Sequence, residues 1–136
     1  MGQETVDFIA RCESVCFERP WTADEVQACV CGEYGVCVTE PDVGYALGRI
    51  SFDEAELYRI AVLPEKRRSH AGVGLLDRFV GLCSERGAAK IFLEVRSKNV
   101  PAIKMYEQYG FVLISVRKNY YGDDDALIYI YEKNGC

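Results

Sequence analysis

The stretch of residues 57–76 limits the fold of this chain more than any other part of the sequence. It reads LYRIAVLPEKRRSHAGVGLL: a short apolar strand, a proline break, a basic turn that contains glycine, and the start of an amphipathic helix. The first amide groups of a helix lack intrahelical partners, and the positive end of the helix dipole lies behind them. A basic turn that leads into a helix therefore predicts a phosphate-binding site. The rest of the chain must supply the groups that react beside it.

Hydrophobic spacing along the chain predicts four helices and six strands in the order ααβββαβαββ, a mixed α/β layer. The predicted helices cover residues 5–17, 23–31, 73–86 and 100–109, and the predicted strands cover 34–39, 45–52, 56–63, 90–95, 111–116 and 126–131. The strand at 56–63 alternates little between apolar and polar residues, so we expect it to be central and covered on both faces. The 136 residues show no repeat or linker, and we expect one domain over residues 1–136.

Composition excludes several classes of function. The formal net charge is −5, which argues against direct binding to nucleic acid or to an anionic membrane surface. No apolar run has the length of a membrane span. The N-terminus, MGQETVDFIAR, is acidic and amphipathic rather than a signal peptide, so we expect a cytoplasmic protein.

Seven cysteines fit neither a zinc-binding pattern nor a disulfide framework, so we expect reduced thiols and no metal. Cys12 and Cys16 would share one helix face. A metal-binding pair there is the alternative to two small buried hydrophobic side chains, which we favour.

Three segments carry a resemblance to a known family: RIAVLPEKRR at 59–68, IFLEVRSKNVPAIKMYEQYGF at 91–111, and RKNYYGDDDALIYI at 117–130. Together they resemble the GNAT acyltransferases, the Gcn5-related N-acetyltransferases. Within that family the last two segments are most similar to the RimI type, which acetylates the N-terminal alanine of a small-subunit ribosomal protein. The resemblance extends from about residue 17 to residue 132.

The resemblance implies the GNAT acyl-CoA N-acyltransferase fold, a mixed central sheet that is splayed between two parallel strands and flanked by helices. Acetyl-CoA enters the splay in this family, and its pantetheine pairs with the fourth strand. This chain has no distinct first strand, so its third strand takes that position. The resemblance therefore assigns the pantetheine and oxyanion contacts to the backbone N–H groups of Ile60, Ala61 and Val62.

The family's pyrophosphate turn, Q/R-x-x-G-x-G/A, aligns here with residues 67–72, that is Arg67, Arg68, Ser69, His70, Ala71 and Gly72. His70 stands where the first glycine is usual. Histidine is among the non-glycine residues that tolerate a positive φ best, so we expect CoA binding to survive. A second register places Gly72 and Gly74 in the glycine positions but misplaces the leucines of the next helix. Arg67 and Arg68 are either solvated charges or ligands of the phosphate oxygens.

Two residues are candidates for acid–base catalysis. Glu94 interrupts a run that otherwise reads as buried strand, where a carboxylate is costly unless it is paired or functional. It is either a rim glutamate paired with Arg96 or Lys90, or the catalytic base that the resemblance implies. Tyr106 is either a core aromatic or, as in the family, the acid that protonates the departing thiolate. Asn99 is a helix N-cap, to which the resemblance adds a CoA contact.

Tyr120 and Tyr121 precede the acidic loop of residues 123–125. The loop is either a solvated hairpin turn or part of a wall that orients the incoming substrate, its aspartates favouring a cationic peptide. The two tyrosines are our candidates for substrate binding.

The function that the resemblance implies is direct transfer of the acetyl group from acetyl-CoA to a protein N-terminus in a ternary complex. The partner is then a protein or peptide N-terminus, such as that of a ribosomal protein. An α-amine has a pKa of about 7.7–8.0 and a lysine amine one of about 10.4, so a simple carboxylate base favours the α-amine. The alternatives are a GNAT enzyme that acetylates a small amine or a lysine side chain, and a CoA-binding module without turnover.

Overall fold

The computed structural model describes residues 3–67 and 70–132. Its elements are helices α1 (Gln3–Cys16), α2 (Ala23–Cys31), α3 (Ala71–Glu85) and α4 (Val100–Tyr109), strands β1 (Gly35–Glu40), β2 (Gly44–Ser51), β3 (Glu54–Val62), β4 (Lys90–Arg96), β5 (Val112–Arg117) and β6 (Ala126–Glu132), and a short 3-10 turn (Pro64–Lys66). The predicted order of elements is confirmed, and α2 and α4 have the predicted bounds.

Local signals in the sequence explain where these helices begin and end. The Thr22 side chain accepts a hydrogen bond from the N–H of Glu25, whose carboxylate accepts one from the N–H of Thr22, which is a complete capping box for α2. Asn99 accepts a hydrogen bond from the N–H of Ala102 at 3.4 Å and caps α4. Gly110, which follows α4, has φ of 124°, a conformation that glycine adopts without steric cost.

The six strands form one sheet in the order β1-β2-β3-β4-β6-β5. All neighbours are antiparallel except β3 and β4, which are parallel. This parallel pairing runs only from Glu54 opposite Lys90 to Leu57 opposite Leu93. Beyond these residues the two strands are not paired, so the sheet is open between their C-terminal halves. The predicted mixed sheet, splayed between two parallel strands, is confirmed.

The prediction that the third strand is covered on both faces is wrong for its N-terminal half, whereas near its C-terminus Ala61 packs in one core and Ile60 and Val62 pack against the other. Strand β3 is central, but Glu54, Glu56 and Tyr58 are exposed, whereas Ala55 and Leu57 are buried. The register with β2 shifts between Arg59 and Leu57, which leaves Tyr58 unpaired and marks a β-bulge. The N-terminal half of β3 therefore alternates between a buried face and an open face, as strands with one covered face do.

Helices cover the two faces of the sheet unequally. On one face, α3 and α4 pack on the larger apolar core, which includes Leu57, Leu76, Phe79 and Tyr129. On the other face, α1 and α2 pack on a smaller core around Tyr45, Leu47 and Ala61. The smaller core contains no residue of β4, β5 or β6. The second face of the sheet is therefore open beyond β3.

The favoured interpretation of Cys12 and Cys16 as two buried side chains holds for Cys12, whereas Cys16 is only half-buried. Cys12 is buried, and Cys16 donates a weak hydrogen bond to the carbonyl of Val62 at 3.6 Å. The six cysteines within the described ranges are free. No cluster of three or more potential metal ligands occurs among the described residues. No helix in this part of the chain is long and apolar enough to cross a membrane.

Candidate active site

One edge of β3 is free along the splay. The N–H of Leu63 donates to the carbonyl of Val43 at 2.8 Å, which makes these two residues a hydrogen-bonded pair of the β2–β3 ladder. Antiparallel ladders alternate between pairs that exchange hydrogen bonds and pairs that do not. The alternation therefore directs the N–H of Ala61 to β2, and those of Ile60 and Val62 to the open side. Two of the three predicted amides, Ile60 and Val62, face the splay.

The turn after β3 leads into α3 through an unusual residue. His70 is the N-cap, and it has φ of 62° and ψ of 15°, the left-handed conformation. This is the position at which the family pattern has glycine, so the conformation agrees with the first register and not with the second. The N–H groups of Ala71, Gly72 and Val73 have no hydrogen-bond partner among the described residues, since the first intrahelical bond joins Gly74 to His70. These amides fit an anion.

Close packing brings the start of α3 to the end of β3. A Cβ atom at Gly72 would lie 3.1 Å from Sδ of Met105 on α4 and 3.8 Å from Cγ2 of Val62. The side chain of Arg67 is exposed, and its Nε donates to the carbonyl of Val62 at 3.0 Å. The unpaired amides of α3, a guanidinium and the free edge of β3 therefore meet at one place. The predicted ligands Arg68 and Ser69 lie outside the described residues.

Glu94 is half-buried on β4, where this strand separates from β3. Its Oε2 accepts a hydrogen bond of 2.7 Å from the hydroxyl of Tyr121. The guanidinium of Arg96 lies 3.9 Å from the centroid of the Tyr121 ring. Glu94 makes no ion pair with Arg96 or Lys90 within the described residues, so its partner is a residue that we predicted for substrate binding. Tyr120 packs edge-on against Tyr121 with centroids 5.2 Å apart.

Tyr106 is buried on α4, and its ring packs at 5.8 Å from the ring of Phe111. Burial raises the pKa of Tyr106 to about 12, so the phenol stays protonated at neutral pH. Its hydroxyl has no hydrogen-bond partner within the described residues, and the protein does not enclose it completely. The hydroxyl is therefore a candidate proton donor. Asn99 is an N-cap, as predicted, at the start of the same helix.

Two aspartates of the acidic loop stabilise the loop itself through hydrogen bonds. The Asp124 carboxylate is buried and accepts hydrogen bonds from the hydroxyl of Ser97 and from the N–H of Lys98. Desolvation alone would raise the pKa of Asp124, but these hydrogen bonds outweigh it and lower that pKa. Asp125 accepts from the N–H of Asn119 at 2.9 Å, which lowers its pKa as well. Both carboxylates hold the loop that carries Tyr121, so of the three aspartates only Asp123 is turned to solvent and to Arg96.

A buried carboxylate network beside the site was not predicted from the sequence. Glu13 on α1 is fully buried and forms a 2.7 Å ion pair with Arg59 of β3, and its Oε1 also accepts from the N–H of Trp21. The Tyr45 hydroxyl donates to the same carboxylate. The guanidinium of Arg59 lies 3.9 Å from the ring centroid of Phe17. The network therefore ties the loop between α1 and α2 to the strand that forms one side of the splay. The burial of Glu13 could have been predicted from its position, because it lies four residues after the buried Ile9 on the same helix face.

Glu56 was also missed. It lies on the open face of β3, opposite Phe92 in the register and close to Glu94. Partial desolvation and then the negative charge of Glu94 raise the pKa of Glu56, whereas Arg117 lowers it. The site therefore holds two neighbouring carboxylates rather than one.

Comparison with known proteins identifies the family of this chain. The model of the Acetyltransferase (GNAT) family matches residues 4–111. A provisionally named ribosomal protein bS18-alanine N-acetyltransferase of Bacillus subtilis (strain 168) is 36% identical over 137 residues, which cover 94% of this chain and 89% of that protein. The ribosomal protein bS18-alanine N-acetyltransferase of Escherichia coli (strain K12) is 40% identical over 88 residues, and the chain spans only 60% of its length in that match.

A solved structure gives the same result for the fold. The crystal structure of the ribosomal-protein-S18-alanine N-acetyltransferase from Escherichia coli superposes with a TM-score of 0.87 and 29% identity, over 97% of this chain and 90% of that one. The family model covers well over half of the chain, and the splayed sheet is the one that the resemblance implied. The chain belongs to the GNAT acetyltransferase family.

Proposed function

We propose that this chain is a protein N-terminal acetyltransferase of the RimI type, which acetylates the α-amine of an N-terminal alanine in a ribosomal protein. The relatives from Bacillus subtilis and Escherichia coli are named as ribosomal protein bS18-alanine N-acetyltransferases. The observation that carries the proposal is the position of Glu94. It is a half-buried carboxylate where the sheet opens, held by a tyrosine of the loop that we expect to face the substrate.

The residues around the splay fit acetyl-CoA as the second substrate. The amides of Ala71, Gly72 and Val73, together with Arg67, would hold its pyrophosphate. The open edge at Ile60 and Val62 would pair with its pantetheine and offer an N–H to the developing oxyanion. Acetyl-CoA supplies the thioester carbonyl that the amine attacks.

The chain's own groups would then move the protons. Glu94 accepts a proton from the α-amine, directly or through water, and the Tyr121 hydroxyl keeps the carboxylate oriented toward the amine. The accessible hydroxyl of Tyr106 donates a proton to the thiolate as it leaves. A carboxylate base suits an α-amine because about half or more of that amine is neutral near pH 8, whereas almost none of a lysine amine is.

Mass spectrometry of short peptides incubated with the protein and acetyl-CoA tests this proposal. The set contains peptides that begin with Ala, Ser, Met or Gly, and one N-terminally blocked peptide with an internal Lys. One acetyl group on the free Ala peptide and none on the blocked peptide supports the proposal. Acetylation of the blocked peptide alone would assign the protein to lysine acetylation, and CoA binding without any product would make it a CoA-binding module.

A further inference from the structure

Two adjoining cavities form one groove on the open face of the sheet. The larger cavity has a volume of about 490 Å³ and lies between α2 and strands β2 and β3. The smaller cavity, of about 120 Å³, continues across β3 to Phe92 on β4. Arg49 and Tyr58 line both cavities, which joins them. We call the combined surface the acidic groove, and its charged lining comprises Glu25, Glu33, Arg49, Glu54 and Glu56.

The acidic groove ends beside the candidate catalytic base. Phe92 lines its end, and Glu94 follows two residues later on the same face of β4, about 7 Å along the strand. Glu56 is opposite Phe92 in the register of β3 and β4, and it interacts electrostatically with Glu94. A chain whose amine lies at Glu94 can therefore continue into the groove without a gap.

The lining of the groove suits cations in two ways. Four carboxylates face a single guanidinium, that of Arg49, and Glu33, Glu54 and Glu56 make no hydrogen bond or ion pair within the described residues. Four aromatic rings, those of Trp21, Tyr34, Tyr58 and Phe92, stand among them, and aromatic faces attract guanidinium and ammonium groups. The guanidinium of Arg49 already lies 5.9 Å from the Tyr34 ring centroid and that of Arg59 lies 5.5 Å from the Trp21 ring centroid, so the Tyr58 and Phe92 rings are the ones that an incoming cation would meet. Two further cations lie near its β4 end, Lys90 opposite Glu54 in the register and Arg117 near Glu56. Arg59, which lies against Trp21, is paired with Glu13 outside the groove, so the four carboxylates outnumber the three remaining cations.

We propose that the acidic groove binds the part of the acceptor polypeptide that follows the acetylated residue, and that it selects acceptors with Lys or Arg among residues 2–5. This inference rests on the proposed function, because it assumes that an N-terminal amine reaches Glu94. An extended chain advances about 3.3 Å per residue. Residues 2–5 of an acceptor therefore span the distance from Glu94 past Glu56 and Glu54.

Kinetics with paired peptides test the selection. Two Ala-initiated peptides differ only at residues 2–5, which carry Lys and Arg in one peptide and Gln in the other. We expect the wild-type protein to prefer the cationic peptide in kcat/KM by about tenfold, since exposed ion pairs contribute up to about fivefold each. The double variant Glu54→Gln/Glu56→Gln should lose this preference through a higher KM for the cationic peptide. The control Glu85→Gln removes the same charge at the end of α3, on the opposite face, and should keep the preference.

A second readout does not depend on turnover. Trp21 is the only tryptophan of the chain and lines the groove. In the presence of CoA, the cationic peptide should change the emission of Trp21 at lower concentrations than the neutral peptide, and the double variant should abolish this difference.

The two readouts separate the groove from the proposed function. Equal kcat/KM for the two peptides, or a preference that survives in the double variant, would overturn the inference and leave the acetyltransferase intact. A charge-dependent change in Trp21 emission without any product would support the groove and overturn the proposed function. No product and no emission change would overturn both.

Discussion

The hydroxyl of Tyr121 donates a 2.7 Å hydrogen bond to Oε2 of Glu94, so the loop after β5 is connected directly to the strand that borders the splay. Both residues were singled out from the sequence, one as a candidate base and the other as a substrate contact. The structure joins them into one unit, in which the loop orients the carboxylate. The guanidinium of Arg96 against the Tyr121 ring completes the unit from the other side.

Replacement of Tyr121 by Phe removes this hydrogen bond and keeps the ring. We expect kcat to fall about tenfold, because a general base that is not oriented loses part of its contribution of 10²- to 10⁴-fold. Steady-state kinetics with an Ala-initiated peptide measure the change. Tyr109→Phe is the matched control, since it removes a tyrosine–carboxylate hydrogen bond of 2.8 Å to Asp77 away from the splay. Equal losses in the two variants would rule out a specific role for Tyr121.

Replacement of Tyr106 by Phe should lower kcat and leave the affinity for CoA nearly unchanged. The phenol has no partner to lose within the described residues, and its pKa, raised by burial to about 12, keeps it protonated throughout the assay range. Steady-state kinetics measure kcat, and calorimetric titration with CoA measures the affinity separately. Full activity in the Phe variant would remove Tyr106 as the acid.

His70→Gly should strengthen CoA binding. A left-handed residue other than glycine costs about 1 kcal/mol in the folded state, and His70 has φ of 62° where α3 begins. The variant relieves this cost in the free and the bound protein alike, so the gain in affinity comes from the closer approach to the helix amides that the missing Cβ allows. Phe52→Gly is the control, since Phe52 has φ of 57° in an exposed turn far from the splay. It should change stability alone, whereas an equal change in CoA affinity for both variants would contradict the account of the turn.

Glu13→Ala should destabilise the fold by about 3 kcal/mol, because it leaves Arg59 and the Tyr45 hydroxyl without their buried partner. Urea unfolding measures the free energy of unfolding. The double variant Glu13→Leu/Arg59→Met should recover part of the loss, since it removes both charges together. If the double variant were less stable than Glu13→Ala by a further 3 kcal/mol, the ion pair would not explain the single effect.

Acid should loosen the loop that carries Tyr121. The pKa of the Asp124 carboxyl is lowered in the folded state by its hydrogen bonds, from an ordinary value of 3.8. Its contribution to stability is therefore complete above about pH 4 and is lost as the pH falls through the lower folded-state pKa. The difference in free energy of unfolding between wild type and Asp124→Asn should shrink below pH 4.

The neighbouring Asp123→Asn serves as the control for the acid experiment. Asp123 is an exposed residue paired only with Arg96, and such surface pairs contribute little. Its effect should be small at every pH. An Asp124→Asn difference that stays constant from pH 6 to pH 3 would contradict the role of this carboxylate.

Much of the fold could be predicted because its signals are local. The capping box at Thr22, the cap at Asn99 and the glycine after α4 mark helix ends within a few residues of sequence. The exposure of the two faces of β3 was predicted wrongly, because it depends on how far α1 and α2 extend over the sheet. That distance is a property of tertiary packing. The polar–apolar alternation of residues 54–57 does indicate one open face, but the predicted strand began only at Glu56 and missed it.

The candidate site shows the same division. Glu94, Tyr106 and the left-handed position of His70 could be selected from residue type and motif. The hydrogen bond from Tyr121 to Glu94 and the ion pair of Glu13 with Arg59 join residues 27 and 46 positions apart. Such contacts depend on the order of the strands in the sheet and on the course of the loops, and neither can be predicted from the spacing of neighbouring residues. The loop aspartates look like substrate ligands in the sequence, yet two of them bind their own backbone.

Tandem mass spectrometry of one peptide with two amines tests the central claim most directly. The peptide begins with a free Ala and carries an unblocked internal Lys, and it is incubated with acetyl-CoA and either wild-type protein or Glu94→Gln. The account predicts a single acetyl group on the α-amine with wild type, formed at least about 100-fold more slowly by Glu94→Gln. Acetylation of the Lys side chain, or an α-amine rate that is unchanged in Glu94→Gln, would contradict it.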